Sequence, residues 1–281
     1  MLALRDQTRP MAFTGEYPGK ADIEEALADE AVRKSIRLWK EGCRLVAWAY
    51  VDCGANLCWE LDAEYESALG EALVAWGESC VRSRCEECEA LTLDASCRED
   101  DAGRLSFLAS HGFRENGAVS LRMARSLTDA QALPPPVLPA GYYIRSAKGK
   151  EEAGAIAETH RAAFGTDYMT EENRLAVMMT SLYDPALDLL AIAPDGAIAG
   201  YCTCAAGTGT TDPVAVHPAH QRKGLAKALL VTGLSLLRTR GVRVARFTTD
   251  GLNIAMQKAG ESAGFRAECK IIWFEKPVQD A

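Results

Sequence analysis

VHPAHQRKGLAKALL, residues 216–230, decides how the second half of this chain reads. It gathers His217, His220, Arg222, Lys223 and Lys227 around Gly224, in a chain whose net charge is −8. The residues before it, TTDPVAV (210–216), have the pattern of a strand broken by Pro218. After it, Leu225, Ala228, Leu229, Thr232 and Leu236 mark one face of a helix, closed by Arg238, Arg240 and Gly241. A short loop is therefore expected between Val216 and Gly224. The first amides of a helix have no internal partners, and the aligned peptide dipoles favour negative charge there. Glycine lets a ligand approach the backbone, Ala226 keeps the next position small, and Gln221, Arg222 and Lys223 add donors or charge. Geometry and charge agree on a phosphate-bearing ligand.

The pattern extends in both directions. YYIRSA (142–147) reads as a strand, Glu151 to Phe164 as a helix with Ile156, His160 and Phe164 on one face, and Thr170 opens a second helix ending near Leu182. LDLLAIAP (187–194) is a buried strand, Asp195-Gly196 a hairpin turn, and AIAGYCTCAA (197–206) its return. VRVARFTTD (242–250) is a strand, Ile254 to Ala263 a short helix, and FRAECKIIWFEKP (265–277) a last strand. The order is β-α-α-β-β-β-α-β-α-β: mixed α/β with a largely antiparallel start.

The first half echoes the second. HGFRE (111–115) matches AGFRAE (263–268), RLVAWAY (44–50) lines up with DGAIAGY (195–201), and Gly70 and Ala72 fall where Gly224 and Ala226 fall. Near-constant spacing predicts a duplicated domain. ALPPPVLPAG (132–141) reads as a stiff spacer, because successive prolines suit neither a helix nor a central strand. The expected division is residues 1–127, a linker over 128–140, and residues 141–281.

The residues Gln221 to Ala226 resemble the Q/R-x-x-G-x-G/A coenzyme A loop of the GNAT family of N-acetyltransferases. The flanks agree: Val214, Val216 and Pro218 before it, an amphipathic helix after it, then a strand, Asn253 and Gly264-Phe265. The resemblance covers most of 141–276 and implies two tandem acetyltransferase-like domains, each a mixed, mostly antiparallel sheet, splayed and flanked by helices. Acetyl-CoA would be the cosubstrate. Its pantetheine would pair with the backbone of Val214, Ala215 and Val216 like an added strand. Its diphosphate would lie on Gln221, Arg222, Lys223, Gly224, Leu225, Ala226 and Lys227, with Asn253 near the pantetheine. In this family an amine attacks the thioester directly, a backbone N–H stabilises the developing oxyanion, and a base takes the amine's proton.

Asp212, on the strand before Pro213-Val214, is the preferred base, with Asp250 at the end of the next strand as second candidate. His217 reads as a loop or coenzyme contact. Many members carry a tyrosine acid seven residues after the asparagine, where this chain has Gly260. A thiolate leaving group with a pKa of about 8.5 departs without strong acid help. Water, Ser262 or Cys269 could serve instead, and Gly260 could leave room for a bulkier group. The first repeat has Ser67 to Ala72 in place of the loop, beside Glu60, Asp62, Glu64 and Glu66, which would repel a diphosphate. It reads as a degenerate copy without a coenzyme site. Its Trp48, Trp59 and Trp76 read as core or as a cleft wall.

Composition limits the alternatives. Acidic residues number 39 against 31 basic, and 48% of residues are hydrophobic. No basic stripe suits nucleic acid, no apolar run suits a membrane span, and the N-terminal residues lack the apolar core of a signal peptide, so a cytoplasmic protein is expected. The ten cysteines read as small apolar residues. Cys85 and Cys88 have the spacing of half a zinc site, without a second pair, so no metal is expected. The expected acceptor is a small-molecule primary amine. The other readings are a non-catalytic acyl-CoA-binding module and an unrelated nucleotide-phosphate binder.

Overall fold

Packing divides the chain into two compact units: residues 1–120 together with the stretch from Lys270 onward, and residues 121–269. The computed structural model describes residues 1–9, 13, 17–84, 91–128 and 133–278. Cys85 and Cys88 lie outside the described residues.

In the first unit, α1 (Leu2–Thr8), α2 (Lys20–Ala28) and α3 (Glu30–Lys34) precede β1 (Arg37–Glu41), β2 (Arg44–Val51) and β3 (Leu57–Leu61). These helices lie in a stretch to which the sequence pattern assigns no element. The three strands form an antiparallel sheet in chain order. β2 is buried on both faces: Trp48 and Tyr50 pack with Leu4 and Ile23, while Ala49 and Val51 pack with Leu73 and Val74. Then follow α4 (Glu66–Arg84), β4 (Thr92–Arg98), α5 (Ala102–Ser110) and β5 (Arg114–Ser126). Trp48 and Trp59 are core residues in separate clusters, and Trp76 packs partly buried against the cluster that holds Trp59.

In the second unit come β6 (Tyr143–Ser146), α6 (Ala153–Phe164), α7 (Glu171–Met178), β7 (Asp188–Ile192), β8 (Ile198–Ala205), β9 (Thr210–Val216), α8 (Leu225–Thr239), β10 (Val244–Asp250), α9 (Ile254–Ser262) and β11 (Arg266–Pro277). The order matches the sequence reading element for element. α7 is shorter than expected: it stops at Met178, well before Leu182. Thr170 opens it, its hydroxyl accepting from the Asn173 N–H at 3.2 Å. Strands β6 to β9 are antiparallel neighbours, and β10 joins β9 in parallel. On one face Cys202 and Cys204 of β8 meet Leu229, Leu230 and Leu234 of α8; on the other, Tyr201 meets Ile156 of α6 and Met178 of α7.

The two halves repeat the order β-β-β-α-β-α-β. Arg37 and Asp188 open β1 and β7, 151 residues apart, and Arg114 and Arg266 open β5 and β11, 152 apart. Both copies carry the same fork. The Asp94 N–H donates to the Ala55 carbonyl at 3.0 Å, and the Arg246 N–H to the Gly209 carbonyl at 2.8 Å. Ala55 and Gly209 both turn with positive φ, 61° and 73°. One parallel contact at the fork's base lets each pair of strands diverge beyond it.

The last strand of each repeat is not where a simple tandem would put it. Residues 271–277 of β11 pair antiparallel with β4 in the first unit. The end of β5 belongs to the second unit, next to β10, and the Leu127 N–H donates to the Arg243 carbonyl at 2.8 Å. The linker-based division at 128–140 and the packing-based one therefore differ in where these strands fall. Among the described residues no helix is long and apolar enough to cross a membrane, and no cluster of His, Cys, Asp and Glu is arranged to hold a metal.

Candidate active site

The fork between β9 and β10 builds the site. Their register consists of one pair, Arg246 with Thr210, so β9 beyond Thr211 has no ladder partner on β10. On its other edge β9 pairs with β8 up to the His217 N–H, which donates to the Ala199 carbonyl at 3.0 Å. Backbone direction alternates along a strand, so Ala215 also faces β8 while Val214 and Val216 face the open fork. Of the three residues expected to pair with pantetheine, Val214 and Val216 are placed to do so. Ala215 has its backbone engaged with β8 and its methyl in the core.

Asp212 and Pro213 form a bulge, because Cys202 pairs with Val214 and Cys204 with Thr211, leaving two residues opposite Thr203. Proline supplies no N–H, so a ladder bond is absent there in any case. The bulge brings the Asp212 carboxylate across the fork, where Oδ2 accepts the Thr248 N–H of β10 at 3.2 Å. Asp250 does something more local: its Oδ1 accepts the Leu252 N–H at 2.6 Å and anchors the turn into α9. Asn253 caps α9, its Oδ1 accepting the Met256 N–H at 3.0 Å.

The loop stands at the far end of β9. Residues 218–220 make one 3-10 turn, with His217 Nδ1 accepting the Ala219 N–H at 3.2 Å. Arg222 and Gly224 then take positive φ, 62° and 80°. A non-glycine residue in that region marks a loop held by its surroundings. α8 begins at Leu225 with no side-chain cap, and its first internal bond runs from the Ala228 N–H to the Gly224 carbonyl. The amides of Leu225, Ala226 and Lys227 thus lack a helical partner. The side chains of Gln221, Arg222, Lys223 and Lys227 are exposed, while that of Leu225 is buried and leaves only its amide to a ligand. The Gln221 amide donates to the Val216 carbonyl at 3.3 Å. A Cβ at Gly224 would meet nothing within 4 Å, so the space over the helix start is open.

The first repeat lacks this loop. Residues 63–65 make a 3-10 turn, capped by Asp62, that runs straight into α4 at Glu66. Gly70, matched by sequence to Gly224, lies inside α4, and a Cβ there would stand 2.6 Å from His111 Nε2. Gly70 serves packing, whereas Gly224 serves a turn.

Gly260 is not a gap. A Cβ there would lie 2.5 Å from Cζ of Phe247, so the expectation of spare room is corrected: the phenyl ring of β10 fills it. Of the substitutes for the missing tyrosine, Ser262 donates to the Ala259 carbonyl of its own helix at 2.8 Å, and Cys269 is buried.

Two features had no signal in the sequence. Tyr142 shares its hydroxyl with His220 Nδ1 and Lys223 Nζ, each at 2.9 Å. Behind β9, a buried polar network joins α6, α7 and β8. His160 holds Tyr201 Oη at 2.6 Å through Nδ1 and Tyr168 Oη at 3.0 Å through Nε2. Arg174 pairs with Asp188, whose carboxylate also accepts from Tyr183 at 2.8 Å and Thr203 at 3.0 Å. Burial, reinforced by Arg174 and Arg161, lowers the His160 pKa to about 4. Burial pushes the Tyr201 and Tyr183 hydroxyls up.

Residues 154–265, which hold the fork, the loop and the polar network, match the model of the Acetyltransferase (GNAT) family. This stretch has the pattern of a GNAT-family domain. Mycothiol acetyltransferases are among this chain's relatives: 35% identity over 152 residues to one from Kineococcus radiotolerans, covering 52% of this chain and 49% of the relative. One from Rhodococcus erythropolis is 30% identical over 162 residues, covering 52% and 53%. The chain thus spans about half the length of the curated relatives it matches. Solved structures show the fold over the whole chain. A tandem GNAT protein from the clavulanic acid biosynthesis pathway covers 100% of this chain and 95% of its own, with TM-score 0.68 and 19% identity. A GCN5-related N-acetyltransferase from Sphaerobacter thermophilus covers 96% and 84%, with TM-score 0.67 and 24% identity. The architecture is that of two tandem GNAT folds.

Proposed function

We propose that this chain is an acetyl-CoA-dependent N-acetyltransferase acting on a primary amine of a small molecule. One observation carries the reading: an uncapped helix start stands at the end of a strand whose free edge opens into the β9–β10 fork. A diphosphate and an extended pantetheine arm fit that combination in chemistry and in order. The amides of residues 221–226, with Arg222, Lys223 and Lys227, would hold the diphosphate. Val214 and Val216 would pair with the arm, as a strand added at an edge. The mycothiol acetyltransferases among the relatives support acyl transfer, and their name supports a small acceptor.

Acetyl-CoA supplies an acyl group on a thiolate leaving group. The Val214 N–H, aimed into the fork, would stabilise charge developing on the acyl oxygen. Asp212, held at the bulge, would take the proton released as the amine nitrogen bonds to the acyl carbon and the C–S bond breaks. No side chain at position 260 can return a proton to sulfur, so the thiolate would leave unassisted or to water. Asn253 and Asp250 would shape the turn beside the fork. The first repeat would contribute structure and no coenzyme site, and the enzyme would work in the cytoplasm.

The missing acid at Gly260 favours one second reading, a module that binds acyl-CoA without turnover. Free thiol released from acetyl-CoA against a panel of amines separates the two. Release above background with any acceptor supports the enzyme; tight coenzyme uptake with no release across the panel supports the module. Absence of uptake refutes both.

A further inference from the structure

Tyr142 follows the proline-rich stretch, and its N–H donates to the Pro139 carbonyl at 3.1 Å. It precedes β6 and takes no part in that strand's pairing. Its ring packs in a small apolar cluster with Val216 and Leu225, the residues that stand immediately before and after the loop 217–224. Its hydroxyl reaches into the loop, to His220 Nδ1 and Lys223 Nζ. Lys223 also lies over the ring, 5.4 Å from the centroid, and its ammonium reaches the Ala219 carbonyl at 3.5 Å. One side chain thus shares an apolar cluster with the residues flanking the loop and hydrogen-bonds two residues within it.

The hydrogen-bond directions are constrained. An ammonium only donates, so Lys223 donates to the Tyr142 oxygen. The same oxygen stands 2.9 Å from His220 Nδ1, so one hydroxyl joins both loop residues. The contact thus holds a cation, Lys223, in the loop that leads into the uncapped start of α8.

We propose that Tyr142 is a positioning residue for the coenzyme loop, holding residues 217–224 and the Lys223 ammonium in the shape that receives a diphosphate. This rests on the acyl-CoA reading above. Tyr142 acts through Lys223 and His220 and touches no reacting atom.

The test is Tyr142→Phe in the full chain, which keeps the ring and removes the hydroxyl. Loss of one charge-assisted hydrogen bond corresponds to about a tenfold change in an equilibrium. CoA binding by calorimetry should weaken about tenfold, and the KM for acetyl-CoA should rise in parallel. The acceptor KM should hold and kcat should fall less than about twofold. In a Lys223→Ala background the same change should weaken binding less than about threefold, because its partner is gone. Amide hydrogen exchange at His220 and Gln221 should speed up in the ligand-free variant. Unchanged CoA binding by Tyr142→Phe, or an equal effect with and without Lys223, would overturn the proposal while leaving the acyl-CoA reading intact. If the unaltered chain takes up no CoA, that reading falls and exchange decides the rest. Faster exchange keeps Tyr142 as the loop's anchor; unchanged exchange removes it.

Discussion

Gly260→Ala sets two effects against each other. Gly260 lies in α9, where alanine is favoured over glycine by about 1 kcal/mol, so propensity alone predicts stabilisation. The added Cβ would stand 2.5 Å from Cζ and 2.8 Å from Cε1 of Phe247, against a carbon–carbon optimum of about 3.5–4.0 Å. The ring must therefore retreat by about 1 Å. It is 1% exposed and packs edge-on against Phe265 with centroids 4.8 Å apart, so no open space receives it. Overpacking of this kind costs about 1–3 kcal/mol. With no space for the ring the cost should lie in the upper part of that range, about 2–3 kcal/mol, so the clash wins by about 1–2 kcal/mol and Tm falls by about 2–8 °C. Thermal unfolding followed by circular dichroism measures it. Phe247→Leu in the same chain should recover part of the loss. A Tm equal to or above that of the parent would refute the reasoning. The same clash says that the family tyrosine cannot simply be restored at this position.

Asp212→Asn keeps an oxygen for the Thr248 N–H, so the fold should persist while kcat falls about a hundredfold; unchanged turnover would move the base elsewhere. Gly224→Glu puts a carboxylate at an open helix start, and CoA affinity should fall at least about a hundredfold, with only about 1–2 kcal/mol of strain from the positive φ. Unaltered uptake in calorimetry would remove the loop from the binding site. His160, with its pKa lowered to about 4, gives a pH signature. Below pH 6.5 the unfolded chain takes up a proton that the folded chain refuses. Stability should therefore fall between pH 6.5 and 4 by about 3 kcal/mol and then level off. Urea unfolding across that range should show the slope, and His160→Gln should flatten it.

Local pattern carried most of the second repeat. Alternation, turn residues and helical spacing are properties of neighbours in the chain, and β7 to β11 follow them closely. The loop was legible because its charges and glycine act locally. The sequence pattern carries the strand unbroken through Pro213, and the bulge that swings Asp212 across the fork needs the β8 register to be seen. What escaped depends on partners far apart in sequence. Phe247 beneath Gly260, Tyr142 beneath the loop and His160 between two tyrosines are all such contacts. Gly70 shows the converse. Its spacing mimicked Gly224, but α4 begins earlier than α8, so the same letter sits inside a helix. The helices α1 to α3 are short and weakly patterned, and form against β2 and not from their own periodicity.

Each repeat lends the end of its final strand to the other's compact unit, with consequences for synthesis. The first unit lacks its partner for β4 until residues 271–277 leave the ribosome, so it cannot finish before the second has been made. A fragment ending at the prolines would expose the edge of β4 and tend to associate. Neither unit can be cut out as one contiguous piece, because each holds the end of a strand that belongs to the other repeat.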